Sequence, residues 1–429
     1  MTFQCGVARA DITPPVGIPM VGFAGRDAAA AVHDPLEATV LAASDGDDQL
    51  LIVSLDLLQL TAESVACIRQ KISTATGVAP TSIALACSHT HYGPSVNDHD
   101  VDLVDSYRTH LSHVLAGVCR EAMDRCQPAR MGVDWGASDI GINRRELRDS
   151  RIVLGQNPSG PVDRSVGIAR IDHANGQPIA TVLNFACHPV SLGGRMAEIS
   201  AGFPGKARRV VEEMTGTLSL YLQGACGDVN PIRMEHDHDA ARSLGVRLGC
   251  EATRIWETIQ VQDVHSVAFA SKTIHLPGYR YDSQTNAENL QQELLRDIAV
   301  REKEGEQNSG PLWWARHRLE HVEAAIVSWQ TDEALSAVEC EVSALRLGQL
   351  GLATAPGEIF AETGQSVKRT SAFEDTFFLG YTNGLIGYVP TRSAYTEGGY
   401  EVTHACRVDP GASEMIDAAC CQVLDTLCE

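Results

Sequence analysis

Five short polar segments carry residue types able to do chemistry, and each directly follows an apolar run. The first is Ser88-His89-Thr90-His91-Tyr92-Gly93-Pro94. Two histidines at i and i+2 project to the same side of an extended chain, so both imidazoles can reach one metal ion. Neutral imidazole is a good zinc ligand. In the second, Asn184-Phe185-Ala186-Cys187-His188-Pro189, a histidine again ends an apolar strand and a proline stops it. The third, Gln223-Gly224-Ala225-Cys226-Gly227-Asp228-Val229-Asn230-Pro231, has glycines that permit tight turns beside a ligand. The fourth, Ala355-Pro356-Gly357-Glu358, offers a carboxylate able to complete a zinc shell of two histidines. The fifth runs from Asn383 to Thr391 through Tyr388 and continues to Tyr395 and Gly398-Gly399-Tyr400-Glu401. Each segment alone has a plainer reading: loop histidines, a hydrogen-bonded core histidine, an ordinary turn. Together they match an active site built on the ends of rigid strands.

The elements that must position these residues follow from hydrophobic periodicity. Leu50 to Leu58, Thr81 to Ser88, Thr181 to Cys187 and Leu218 to Gln223 are predicted strands. Ala62 to Thr76, Leu103 to Cys126, Gly205 to Met214 and Asp239 to Ile259 have helical spacing. The alternation predicts an α/β fold, with mixed β-sheets in the core and helices outside. Strands return at Glu339 to Leu347, Leu350 to Ala355 and Thr376 to Tyr381, so the last third rejoins the same core. The whole chain, 1–429, therefore reads as one catalytic domain. Within it, 283–337 is predicted to be an inserted helical hairpin broken at Gly305 to Pro311. Leu290, Leu294 and Ile298 form one apolar stripe, and Trp314, Leu319, Val322 and Ile326 the other. A packed surface hairpin is the expectation; a lid or dimer arm carrying Trp313 and Trp314 is the sharper alternative.

Composition narrows the function classes. A hydrophobic content of 44% is ordinary for a globular chain. A net charge of −21 disfavours nucleic acid and anionic membrane surfaces. The apolar stretch Gln49 to Leu60 is interrupted by Ser54 and Asp56 and is too short to span a bilayer. The first residues lack a basic region followed by an apolar run, so the expected compartment is the cytoplasm. The 13 cysteines are spread along the chain without a C-x-x-C pair, which argues against a thiolate zinc site. His236 and His238 read as a solvated helix start with Asp239 as its cap. Asp56 either orients a ligand histidine or caps its loop, and His33-Asp34-Pro35 either approaches the site or forms a turn.

The set of motifs, in this order, resembles the neutral ceramidase family and its wider group of bacterial relatives. Gly6-Val7-Ala8-Arg9-Ala10-Asp11-Ile12-Thr13-Pro14 with Met20-Val21-Gly22-Phe23 resembles that family's start. Val53-Ser54-Leu55-Asp56-Leu57, Ser88 to Pro94, Ile142-Asn143-Arg144, His188-Pro189, Gly227-Asp228, Pro356-Gly357-Glu358, Tyr388 and Tyr400 continue the match. The resemblance implies a zinc ion held by His89, His188, Glu358 and Tyr388. It implies that His91, Arg144 and Tyr400 contact the substrate or the reacting carbonyl, with Asn143, Asp228 and Asn230 on the substrate side. Three departures stand out. Asn230 replaces the serine of the family's Gly-Asp-Val-Ser-Pro motif, and Ser200-Ala201-Gly202 has glycine where an acid is usual. The family's C-terminal immunoglobulin-like domain has no counterpart here.

The expected function is zinc-dependent hydrolysis of an amide (N-acyl) bond in a small, rather polar molecule other than ceramide. A zinc ion brings the pKa of water toward about 7. Arg144 and Tyr400 would stabilise the oxyanion, and His91 would carry a proton to the leaving group. The expected partners are a small-molecule amide or ester and a second copy of the chain, with no nucleic acid and no stable membrane insertion. The alternatives are an esterase, lactonase or lyase on a polar metabolite or carbohydrate, and a non-catalytic ligand-binding homologue.

Overall fold

A computed structural model describes residues 3–96, 101–235, 237–305 and 310–428, with the side chains of 310, 311, 313 and 314 left out. His236 and the side chains of Trp313 and Trp314 are therefore outside what is described. The architecture is mixed α/β in four layers, helices–sheet–sheet–helices. The larger sheet has nine strands. At one edge Glu37–Ser44, Gln49–Leu55 and Ile83–Cys87 lie side by side, the last two parallel. Toward the other edge, Ser165–His173, Pro178–Phe185 and Leu218–Gln223 are neighbours, again with the last two parallel.

One face of this sheet is covered by helices. Ala62–Thr76 and Asp102–Asp124 bury Leu85, Ile72, Leu111 and Leu115 in one cluster. Gly202–Thr215 and His238–Thr258 bury Phe203, Val211, Leu244 and Leu248 in another. The other face meets a second sheet of four strands, where Ile52, Leu220 and Leu222 pack with Leu345, Leu352 and Phe377. Strands sandwiched in this way are apolar on both sides, which is why Gln49–Leu55 and Ile83–Cys87 read as continuous hydrophobic runs. The outer face of the second sheet is closed by Ala361–Thr370 and Ala412–Asp425.

Helices Gln284–Lys303 and Gly310–Thr331 leave and re-enter this second sheet between two strands that pair directly. Val267–Leu276 and Val338–Leu347 form an antiparallel ladder from Val267↔Leu347 to Leu276↔Val338. The two helices bury Leu294, Ile298, Val322 and Ile326 between them.

Details of three elements differ from the sequence reading. The cap of helix His238–Thr258 is Asp237, whose carboxylate accepts the Ala240 N–H at 2.8 Å, rather than Asp239. Asp56 does not touch a histidine. It accepts the Glu37 N–H and a guanidinium N–H of fully buried Arg208, tying the sheet edge to helix Gly202–Thr215. Asp34 also serves that helix: its carboxylate accepts from the Ala201 N–H and the Ser200 hydroxyl at the helix start.

Candidate metal centre

The five motifs meet where strands of both sheets end. His89 follows Ile83–Cys87, and His188 follows Pro178–Phe185. Glu358–Ile359 follows Leu350–Thr354 and pairs in parallel with Tyr388–Val389, in register Glu358↔Tyr388. Gln223, at the end of Leu218–Gln223, ties two of these ends together. Its amide donates to the Ser88 and Cys187 carbonyls and accepts the Cys187 N–H. Gly227 lies so close to the Glu358 backbone that a Cβ there would overlap the Glu358 carbonyl oxygen. Glycine is therefore required for that approach.

The two histidines of the first motif converge by a route other than the extended chain. His89 sits outside the strand with φ +64, in the left-handed region, and a turn begins at His91. Such a backbone costs a non-glycine residue on the order of 1 kcal/mol and persists only when its surroundings hold it. Here the His89 N–H donates to the Leu57 carbonyl and the ring stacks on Tyr381, centroids 3.9 Å apart.

Three imidazoles share one orientation logic. Nδ1 of His89 lies 2.9 Å from the Leu58 carbonyl oxygen, that of His91 3.0 Å from Gly22, and that of His188 2.6 Å from Cys226. A carbonyl only accepts, so each Nδ1 carries the proton and each Nε2 presents a lone pair. Those lone pairs face one another: His89 Nε2 lies 3.2 Å from both His188 Nε2 and His91 Nε2. The Glu358 carboxylate adds an oxygen 3.1 Å from His188 Nε2 and 3.5 Å from His89 Nε2. All four side chains are buried.

Burial and the neighbouring Arg144 pull His188 down to about 4, and burial with the adjacent imidazoles pulls His91 well below its ordinary value. Burial opposes ionisation of Glu358, but His188 and His89 beside it outweigh this and hold its carboxyl well below the usual range. Neutral imidazoles and an ionised carboxylate are the protonation states that a metal binds. Lone pairs at these separations repel one another unless a cation lies between them. Ligands about 2.0–2.1 Å from a tetrahedral ion are roughly 3.3 Å apart, so the donor set fits a zinc-sized divalent ion. The clustered nitrogens of His89, His91 and His188 all lie within 4.8 Å of one another.

Arg144 forms the second half of the site. It donates through Nη2 to the Tyr388 hydroxyl at 2.9 Å, through Nε to Glu401 at 2.7 Å and through Nη1 to Asn230 at 3.3 Å. Glu401 also accepts from Arg145 at 2.7 Å, so two arginines share one fully buried carboxylate. Burial opposes the Arg144 charge, but Tyr388 and Glu401 more than restore it. Burial also raises the Tyr388 phenol well above its ordinary value, against the lowering effect of Arg144. Tyr400 packs edge-on against Tyr388, ring centroids 5.7 Å apart.

Asn143 and Asp228 are brought together, with the Asn143 amide donating to Asp228 at 3.0 Å. Asp228 also accepts the Ala361 N–H, and burial pushes its pKa up to about 7. Sequence reasoning assigned no role to Glu401, Gln223 or Tyr381. Glu401 stood inside the quoted tyrosine motif, so only its partners were missing. The carbonyls that orient the imidazoles had no signal at all.

A cavity of about 430 Å³ adjoins this centre. Phe23 and Tyr400 line it, and Phe23 packs on His91 with ring centroids 5.0 Å apart. Its other wall is formed by the inserted helices through Leu294, Arg301, Ala315 and Arg318.

No family model and no curated protein sequence matches the chain. Solved structures do. The neutral ceramidase from Pseudomonas aeruginosa superposes with a TM-score of 0.76 at 18% identity, over 100% of this chain and 74% of that one. A ceramidase complexed with C2 gives 0.76 and 18%, over 100% of this chain and 76% of that one. The mixed sheets, the outer helices and the strand ends that gather the histidines are thus those of a known architecture: from one end to the other, this chain has the neutral ceramidase fold.

Proposed function

We propose that the chain is a zinc-dependent hydrolase that cleaves an amide bond in a small molecule. The observation carrying this reading is the convergence of three tautomer-locked imidazoles and an ionised carboxylate on one buried point. His89, His188 and Glu358 hold the ion, and Tyr388 is the fourth ligand in the reading that the ceramidase resemblance supports. His91 faces the same centre; its Nε2 lone pair would take a proton from the attacking water and pass it to the leaving amine. A divalent ion held there supplies Lewis acidity and activates water near neutral pH.

The protein supplies the rest. Gly22, Leu58 and Cys226 carbonyls aim the rings, and burial keeps bulk water from the centre. Arg144 keeps a positive charge beside the Tyr388 hydroxyl, and Glu401 holds that guanidinium in place. Tyr400, between Tyr388 and the cavity, donates to the oxygen of the scissile carbonyl as charge develops on it. Asn143, Asp228 and Asn230 set the position of Arg144, which connects the substrate side of the site to its frame.

The whole of 1–429 serves this one centre as a single catalytic domain in our reading. All 13 cysteines are unpaired, which fits a reducing compartment and supports a cytoplasmic setting. No helix of the described residues is long and apolar enough to cross a membrane.

The experiment is a matched panel of N-acyl amides and O-acyl esters with the zinc-supplemented protein, with and without chelator. The reading expects chelator-sensitive amide cleavage. Turnover of esters alone favours the esterase or lactonase alternative, for which the polar groups of the cavity speak. Absence of any turnover would falsify the hydrolase reading.

A further inference from the structure

The cavity beside Tyr400 says more about the substrate than the histidine cluster does. Its inner wall belongs to the centre, through Phe23 on His91 and Tyr400 on Tyr388. Its outer wall belongs to the inserted helices, which bring two apolar side chains, Leu294 and Ala315, and two guanidinium groups, Arg301 and Arg318.

The two arginines differ in their company. Arg301 Nε donates to Asp297 at 2.9 Å, one turn away on the same helix, and Asp297 lines the same cavity. Its charge is therefore largely offset within the wall. Arg318 forms no ion pair within 4.0 Å among the described residues. Its neighbours are the Tyr281 phenol and, beyond ion-pair distance, the Glu293 carboxylate, and its Nε is buried without any partner. Burial is also the main reason that its pKa is pulled below the ordinary guanidinium value. The cavity thus holds one guanidinium whose countercharge, Glu293, stands off beyond ion-pair distance, next to an apolar wall.

We propose that Arg318 receives a carboxylate of the substrate, and that the substrate is an N-acyl amino acid whose acyl chain rests on Phe23, Leu294 and Ala315. The proposal rests on the hydrolase reading of the adjoining centre. A planar guanidinium presents parallel N–H donors that match a carboxylate. One cation without a direct ion pair suits one negative charge rather than a phosphate dianion. The chain's net charge of −21 repels anions in general, so an anionic substrate needs such a local cation. The inserted helices then act as the part of the fold that chooses the substrate.

The test compares N-hexanoylglycine with its neutral N-hexanoylglycinamide, in the native protein and in Arg318→Gln and Arg318→Lys. The native protein is expected to prefer the acid by about tenfold or more in kcat/KM, as sites with a dedicated polar partner do. Arg318→Gln should lose that preference through KM and keep its rate on the neutral amide within about twofold, while Arg318→Lys recovers part of it. An unchanged preference in Arg318→Gln, or no preference in the native protein, overturns the proposal. If neither amide is cleaved, the hydrolase reading fails, and titration calorimetry with N-hexanoylglycine decides the carboxylate site by itself. Binding weakened at least tenfold in Arg318→Gln supports it; equal binding, or none to the native protein, refutes it.

Discussion

At the scale of single residues, the orientation of three rings matters more than their identity. Each Nδ1 is committed to a backbone carbonyl, so each Nε2 has only the shared centre to serve. In the function proposed above, Tyr388 is a metal ligand and His91 a proton carrier. A metal ligand and a proton carrier respond differently to removal. Tyr388→Phe should weaken zinc affinity by about tenfold or more, in the range seen when a ligand's support is lost. His91→Ala should retain zinc and lose about 10²–10⁴ in kcat, the usual worth of general acid–base catalysis. Competition with a chromophoric chelator and steady-state kinetics measure the two. Zinc lost from His91→Ala and kept by Tyr388→Phe would exchange their assignments. The strand-end histidines and Glu358 were legible because each polar residue stood at the end of an apolar run. Their partners were not, since a backbone carbonyl carries no residue-type signal and Glu401 acquires its meaning only beside Arg144 and Arg145.

At the scale of elements, the short helix Tyr400–Thr403 is fastened to strand Gly141–Arg148 by that carboxylate. Both arginines of the clamp are buried, and so is Glu401. Burial opposes its ionisation, but Arg144 and Arg145 overcome this and hold its pKa below the ordinary 4.5. A carboxylate depressed in the folded state contributes stability that is present above its unfolded value and lost as pH falls through its folded value. Glu401→Gln should therefore cost about 3–5 kcal/mol at neutral pH, because it leaves buried Arg144 without its carboxylate and Arg145 with Glu397 alone. It should also flatten the decline in stability below about pH 4.5. Denaturant unfolding across pH checks both, and an acid limb identical to that of the native protein would contradict the clamp. Sequence reading missed this strand, its partner Arg151–Asn157, and Ser165–His173 of the larger sheet. Gly141–Arg148 carries three arginines and one glutamate, and its apolar periodicity is too weak to announce a strand. The extended arrangement expected for His89 and His91 failed for a related reason: a positive φ at a histidine leaves no mark in the sequence.

At the scale of the whole molecule, two sheets packed face to face bring strand ends from residues 87 to 388 to one place. The α/β class was readable from alternating runs and helices. The face-to-face stacking was not, because a strand buried on both sides looks the same under a helix as under another sheet. The helical pair was visible as a polar, charged stretch with helical period; its place against the cavity became visible only once the ladder Val267–Leu276 with Val338–Leu347 closed behind it. The architecture has a purpose only if something sits where the lone pairs meet. Elemental analysis of the purified chain, after dialysis and stoichiometric zinc addition, tests this most directly. The account predicts one zinc ion per chain, retained through gel filtration and lost in His188→Ala while the fold persists. A folded native chain that retains no zinc, or that retains it equally in His188→Ala, would contradict it.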